Sequence, residues 1–118
     1  MPVCIYSDTL KLVNTFLRTP EFNEWLSKLR DQIAKARIIA RIRSAEAGNF
    51  GDCEPVGDGV SEMRIHVGAG YRAYFCRRRK IVYLLLCGGD KSSQKRDIRE
   101  AKYILKELEK NDGQDKTI

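Results

Sequence analysis

Four side chains able to take part in chemistry lie within one short stretch, SEMRIHVGAGYRAYF, which runs from Ser61 to Phe75. Apolar and polar residues alternate on both sides of a central Gly-Ala-Gly, a pattern that predicts two β-strands joined by a tight turn. If Val67 faces Tyr71 across this turn, the apolar residues of both strands share one face and form part of the core. The opposite face then carries Arg64, His66, Arg72 and Tyr74.

This predicted polar face concentrates positive charge. In the assumed register His66 lies opposite Arg72. Arg64 then lies opposite Tyr74, whose hydroxyl can donate a hydrogen bond. Adjacent cations repel one another, and a bound anion would relieve that repulsion. Arginine binds phosphate through a planar fork of donors, whereas histidine exchanges a proton near neutral pH. The residue types therefore predict a phosphate-binding surface, and a plain solvated face without a ligand is the alternative interpretation.

A further candidate phosphate ligand follows the last predicted strand. The segment Cys87–Gln94, CGGDKSSQ, leads from a strand into the start of a helix. Free backbone N–H groups at such a start, together with Lys91, can bind an anion. The segment lacks the GxxxxGK spacing of a nucleotide-binding P-loop. We therefore predict Lys91 as an additional cation of the same site.

These residue types suit the cleavage of RNA. No cluster of Asp and Glu has the spacing of metal ligands, so we expect no metal and no cofactor, and Arg and Lys must meet the negative charge of the transition state. In such a reaction the 2′-hydroxyl of RNA attacks the adjacent phosphorus, a base takes its proton, and an acid protonates the leaving 5′-oxygen. The chain contains one histidine, so His66 can fill only one of these two roles.

The overall composition favours an anionic partner inside the cell. The formal net charge is +6 and the sequence pI is near 9.3, which favours nucleic acid first and a membrane surface second. Four scattered cysteines without a CxxC pair predict neither a zinc site nor a disulfide framework. The longest apolar stretch, Ile81–Cys87, is too short to cross a bilayer. We therefore expect a cytoplasmic protein with no membrane partner.

Two basic segments extend the predicted nucleic-acid surface. One is the polar side of a predicted helix, and the other is the tip of a predicted hairpin that adjoins the site. Each segment either contacts phosphates or serves only as a solvated surface. The candidate RNA- or ribosome-binding residues are Lys35, Arg37, Arg41, Arg77, Arg78, Arg79 and Lys80.

The hydrophobic pattern predicts the elements that position these residues. Thr19 and Pro20 predict a helix start, whereas the glycine-rich segment Gly48–Val60 predicts a loop and Gly88-Gly89 predicts the end of a strand. The predicted elements are a strand at Leu10–Leu17, a helix from Pro20, a helix at Asp31–Ala47, strands at Val60–Val67, Tyr71–Arg77 and Ile81–Cys87, and a helix from Ser92. The order β-α-α-β-β-β-α predicts a two-layer α+β fold, with a small and mostly antiparallel sheet packed on helices.

A chain of 118 residues predicts one domain. No internal repeat is visible in it. The domain comprises residues 1–118, with a core at about 10–110, an N-terminal extension at 1–9 and a solvated tail at 111–118.

Three segments together resemble the RelE/ParE superfamily of toxins, in particular its HigB-like addiction-module killer proteins. The segments are Phe22–Arg43, Gly48–Phe75 and Leu84–Ile98, and the similarity extends over roughly residues 12–105. The combination of GVSEMRIHVGAGYR with GGDKSSQ is specific, whereas either motif alone is weak. The resemblance implies a RelE-like fold and a toxin of a type II toxin–antitoxin operon. Many such toxins cut messenger RNA in the ribosomal decoding site without a metal.

The resemblance also implies roles for individual positions. The positions that match the family's basic site residues are Arg64, His66, Arg72 and Lys91. Among them Arg72, in the motif GYR, matches an arginine that stabilises the transition state, so Arg72→Ala should remove activity and barely change stability. Asp97 stands where RelE itself has a catalytic tyrosine, which leaves the identity of the base and the acid open. On geometry alone, Tyr74 is a possible substitute.

The resemblance implies partners as well. They are a cognate antitoxin of a helix-turn-helix, HigA-like type, the ribosome and messenger RNA, with operator DNA bound only through the antitoxin complex. Two other functions stay open. One is a ParE-like inhibitor of DNA gyrase, which needs no catalytic centre, and the other is a nucleic-acid-binding module without chemistry.

Overall fold

The computed structural model describes residues 12–116, and the side chains of residues 12–111. The predicted N-terminal extension and the first residues of the predicted first strand lie outside the described residues. The elements are β1 (Thr15–Arg18), α1 (Pro20–Lys28), α2 (Gln32–Glu46), β2 (Cys53–Gly57), β3 (Val60–Ile65), β4 (Tyr71–Arg79), β5 (Val82–Asp90), a 3-10 turn (Lys91–Ser93) and α3 (Gln94–Lys116). Helix α3 continues to Lys116, into the segment predicted as a solvated tail from residue 111.

The five strands form one sheet in the order β1-β5-β4-β3-β2. Strand β1 runs parallel to β5, and every other pair of neighbours is antiparallel. The predicted α+β class and the mostly antiparallel sheet are therefore confirmed. The predicted order of elements lacks one strand, β2.

Helices α1 and α2 cover one face of the sheet. Thr19 begins α1 because its hydroxyl accepts a hydrogen bond from the backbone N–H of Phe22 at 3.0 Å, and it donates to the carbonyl of Leu86 at 2.7 Å. Asp31 begins α2 in the same way, accepting from the N–H of Ala34 at 3.0 Å. The buried residues of these helices pack against alternate residues of β3, β4 and β5, among them Phe75.

Helix α3 covers the opposite face. Its buried residues Ala101, Ile104 and Leu105 pack against the other set of alternating strand residues, among them Val60 and Cys76. The sheet therefore lies between two helical layers, and the prediction of a two-layer fold is wrong. Periodicity predicted each helix, but it carries no information about which side of the sheet a helix occupies.

The segment Gly48–Val60 contains strand β2, so its prediction as a loop is wrong. β2 pairs with β3 and forms one edge of the sheet. Pro55 lacks a backbone N–H, and an edge strand tolerates this because one of its sides needs no partner. Gly57, Asp58 and Gly59 have positive φ angles of 102°, 55° and 83°, which allow the tight turn into β3. Two of the four glycines of this segment, Gly57 and Gly59, therefore belong to the turn after a short strand, whereas Gly48 and Gly51 precede that strand.

Gly88 and Gly89 do not end β5, which continues to Asp90. Both are needed because side chains from the two helical layers approach the backbone closely. A Cβ atom on Gly88 would overlap the ring of Trp25, and a Cβ atom on Gly89 would overlap the carboxylate of Asp97. The pair therefore allows close packing on both faces of one strand.

We expect Gly88→Ala to lower the free energy of unfolding by about 1 to 3 kcal/mol, since overpacking a filled site costs this much. Urea denaturation of a double-mutant cycle with Trp25→Leu tests the cause. The alanine should cost less in the background that lacks the indole ring. An equal cost in both backgrounds would mean that contact with Trp25 does not explain this glycine.

Candidate functional site

A groove of about 420 Å³ opens at the end of the sheet where β3 ends and β4 begins. It brings together four of the five predicted catalytic residues from four parts of the chain. They are Arg64 from β3, His66 from the following turn, Arg72 from β4 and Lys91 from the 3-10 turn after β5.

The register of the β3–β4 hairpin differs from the predicted one. Ile65 faces Tyr71, so Arg64 faces Arg72, whereas the predicted pairs of His66 with Arg72 and of Arg64 with Tyr74 are wrong. The connection is longer than predicted, and Gly68 and Gly70 within it have positive φ angles of 55° and 76°. The shift is two residues, so each side chain remains on its predicted face of the sheet.

A buried carboxylate, that of Glu62, lies beneath the two facing arginines. Its side chain is 1% exposed. Arg64 Nε donates to Oε2 at 3.0 Å, and Arg72 Nε lies 3.2 Å from Oε1. Gln94, at the start of α3, also donates to Oε1, at 3.0 Å. Sequence reasoning missed Glu62, although its position two residues before Arg64 already placed both on one face.

Arg64 is surrounded by acidic partners. Besides Glu62 it contacts Asp52 at 3.4 Å, and it forms an ion pair with Glu54 of the edge strand. The hydrogen bonds that Arg64 donates to Glu62 and Glu54 raise the pKa of its guanidinium above the ordinary value, so this group is always charged. The expectation that repulsion among these cations calls for an external anion is therefore wrong for Arg64, because the chain supplies the anions.

Arg72 is held from two sides and keeps donors free. Its Nη1 donates to the carbonyl of Gly70 at 3.1 Å. Its buried Nε is near Glu62 but too poorly aligned for a hydrogen bond. Among the described residues Nη2 has no hydrogen-bond partner, and 13% of the side chain is exposed. The guanidinium therefore has a fixed position and a free edge near the groove.

His66 and Asp52 form a pair at the mouth of the groove. Nε2 of His66 lies 2.6 Å from Oδ2 of Asp52, and the imidazole is largely exposed. The hydrogen bond with His66 is the largest of the effects that lower the pKa of Asp52, so the carboxylate is ionised at neutral pH. If Asp52 accepts the proton on Nε2, then Nδ1 is the nitrogen left to accept a proton from a ligand. Sequence reasoning missed Asp52, which lies in the segment predicted as a loop.

Tyr74 does not reach the groove, which corrects its prediction as a catalytic residue. Its side chain is fully buried beneath α3, with the hydroxyl 3.5 Å from Glu62 Oε1. Burial and the nearby charge of Glu62 raise the pKa of the phenol well above its ordinary value. Asp97 is also buried and contacts Ser93. Both residues therefore stabilise the packing of α3 on the sheet.

The predicted RNA-binding residues do not form one surface with the groove. Arg41 donates to the carbonyl of Phe50 at 3.0 Å and to that of Arg64, so it holds backbone segments together and is not free for phosphate. The hairpin tip with Arg77, Arg78, Arg79 and Lys80 lies at the opposite end of β4, roughly 23 Å from Arg72 along the strand. The prediction that this tip adjoins the site is wrong. Lys35 and Arg37 lie on α2, where Arg37 is exposed.

The described residues, 12–116, also bear on metal binding and on insertion into a membrane. No group of three or more His, Cys, Asp or Glu side chains in this range is placed to hold a metal ion. No helix within the same range has the length and apolar character needed to cross a membrane.

The chain is similar to proteins of phage origin. The sequence profile described as "Phage derived protein Gp49-like (DUF891)" matches residues 24–109, which include every residue that lines the groove. A protein of Haemophilus influenzae, named only as uncharacterized, is 50% identical over 90 residues, which cover 76% of this chain and 91% of that protein.

We expect the buried carboxylate of Glu62 to contribute strongly to the free energy of unfolding. Glu62→Gln keeps the side-chain volume but leaves two arginines without the charge that they share, which should lower the free energy of unfolding by roughly 3 kcal/mol. Glu54→Gln is the matched control, because this carboxylate also pairs with Arg64 but is exposed. Thermal denaturation should show a much smaller effect for the control. Equal effects would mean that Glu62 is no more important than a surface partner.

Proposed function

Because the chain belongs to the phage-derived Gp49-like family, which is associated with toxin–antitoxin systems, we propose that it is the toxin of a type II module. As its mode of action we propose ribosome-dependent cleavage of messenger RNA, which stops translation. This proposal includes membership in the RelE/ParE superfamily, close to its HigB-like proteins. A cognate antitoxin is the partner that the family suggests. A helix-turn-helix, HigA-like antitoxin, contact with the ribosome in the cytoplasm and operator binding through the antitoxin belong to the same proposal.

The observation that carries the cleavage proposal is the convergence on one groove of three groups with different chemistry. Arg72 offers a fixed guanidinium edge, Lys91 an exposed ammonium group, and His66 an imidazole held by a carboxylate. Two cations can bind the two non-bridging oxygens of a phosphodiester, and they stabilise the extra negative charge of a phosphorane. The imidazole can accept a proton at neutral pH.

The reaction balances with these groups and water. The 2′-oxygen attacks phosphorus and forms a P–O bond, while the bond from phosphorus to the 5′-oxygen breaks. His66 takes the 2′-hydroxyl proton on one ring nitrogen, while Asp52 holds the imidazole through the other. The leaving 5′-oxygen takes a proton from water, since the groove is open to solvent. The products are a 2′,3′-cyclic phosphate and a 5′-hydroxyl end.

A specific observation favours the second candidate function, a ParE-like inhibitor of DNA gyrase. Arg64 is held by three carboxylates and Tyr74 is buried, which leaves His66 as the one candidate base among the predicted catalytic residues. A toxin that acts by binding alone needs no such group, and neither does a nucleic-acid-binding module without chemistry. Mapping of broken transcripts and of gyrase–DNA complexes after brief induction distinguishes the three functions.

Replacement of Arg72 tests the proposed role of the guanidinium. Because Arg72 contacts buried Glu62, Arg72→Ala would also disturb folding, contrary to the expectation from sequence. Arg72→Lys keeps the charge and removes the fork of donors, so we expect cleavage to be about 100- to 1,000-fold slower. Arg79→Lys at the far hairpin tip is the control. Unchanged cleavage by a folded Arg72→Lys variant would contradict the role.

The pH dependence of cleavage tests His66. The wild-type rate should rise with pH, because a base must be neutral before it can accept the 2′-hydroxyl proton. His66→Gln should be slow and should lack this dependence. Asp52 does not cause this pH dependence, because its lowered pKa keeps the carboxylate ionised near neutral pH. Arg64 does not cause it either, because its guanidinium remains charged. A rise of the same shape in the variant would remove His66 from the reaction.

A further inference from the structure

The outer face of α3 is uniformly basic over about four turns. The inner face, which packs on the sheet, contains Asp97, Ala101, Ile104 and Leu105. At 100° per residue the positions opposite this stripe carry six cations and one tyrosine, Tyr103. The cations are Lys95, Arg96, Arg99, Lys102, Lys106 and Lys110. Within the helix up to residue 111, the remaining acidic residues lie on the two flanks of this face.

Several of these cations have no anionic partner. Lys95, Arg99 and Lys106 make no ion pair with any residue whose side chain the structure describes. The other three have partners: Lys102 lies 3.6 Å from Asp58, Arg96 lies 3.8 Å from Asp97, and Lys110 pairs with Glu107 of the flanking face at 3.3 Å. The arginines of the groove differ, because Arg64 and Arg72 both contact Glu62. The outer face of α3 therefore carries positive charge that the fold itself does not use.

This face is continuous with the candidate site. A second groove, of about 550 Å³, is lined by the first turns of α3 and includes Lys95 and Arg99. Lys91 lines both this groove and the one that contains Arg72. From Lys95 to Lys110 the face extends for roughly 22 Å, so its charges can contact several successive phosphates.

We propose that the outer face of α3 binds the sugar–phosphate backbone of RNA and leads the strand to the groove. The inference rests on the proposed function in taking RNA as the polyanion. An acidic protein segment is the competing partner, but protein interfaces depend on buried apolar and aromatic anchors. This face offers one large ring, Tyr103, which is 61% exposed and can stack on a base. The basic hairpin tip predicted from sequence has no such continuity with the groove, because it lies at the opposite end of β4.

The test uses the full chain and a short 2′-O-methyl oligoribonucleotide, which the proposed reaction cannot cut. Fluorescence anisotropy measures its affinity between about 50 and 200 mM salt. Lys95→Gln/Arg99→Gln should reduce the slope of log affinity against log salt by roughly 1.4, which is about 0.7 for each lost contact with a single strand. Arg30→Gln/Arg43→Gln removes the same charge from exposed positions elsewhere and should leave the slope nearly unchanged.

An equal reduction by both double variants would overturn the inference, because it would show a response to net charge alone. An unchanged slope in Lys95→Gln/Arg99→Gln, with weaker antitoxin binding, would overturn it in favour of an acidic protein partner. Failure of the proposed function would be recognised by a separate result, namely that the wild-type protein does not cleave ordinary RNA. Binding of the modified RNA through α3 would still support the inference in that case.

Discussion

The arrangement of the site depends on one buried carboxylate shared by two arginines. Arg64 and Arg72 face each other on adjacent strands, where two cations would repel if nothing lay between them. Glu62 removes this repulsion by offering one oxygen to each arginine. A charge buried to this degree is tolerated only when its hydrogen-bonding capacity is used, and Gln94 adds a further donor. The contact between Gln94 and Glu62 also links the start of α3 to the hairpin that forms the groove.

The chain consequently contains cations of two kinds. Those of the groove are paired, partly buried and fixed in position, as transition-state stabilisation requires of groups that must not reorganise during a reaction. Those on the outer face of α3 are mostly exposed, and three of the six, Lys95, Arg99 and Lys106, have no ion-pair partner among the described residues, which suits long-range attraction of a polyanion. Lys91 borders both sets and belongs to the turn that connects β5 to α3. If the proposed function holds, the paired arginines take part in the reaction and the exposed cations of α3 attract the RNA.

Local patterns predicted much of this fold, and contacts between distant segments account for the rest. Thr19 and Asp31 begin their helices as predicted, because capping depends only on neighbouring residues. The faces of the β3–β4 hairpin were predicted correctly despite the wrong register, because a shift of two residues preserves the alternation. Gly88 was misread as the end of a strand, since the helix that packs on it lies far away in sequence. The hydrophobic pattern does not indicate that Arg41 donates to backbone carbonyl groups or that Glu62 contacts two arginines.

The chemistry of the cut ends tests the central claim most directly. The purified protein is added to ribosomes that carry a defined message, and the termini of the fragments are identified. The proposed reaction predicts a 2′,3′-cyclic phosphate and a 5′-hydroxyl, and no cut where a single 2′-deoxynucleotide replaces the residue that supplies the attacking hydroxyl. Fragments with a 3′-hydroxyl, cleavage that persists at the deoxynucleotide, or a message that stays intact would contradict the account.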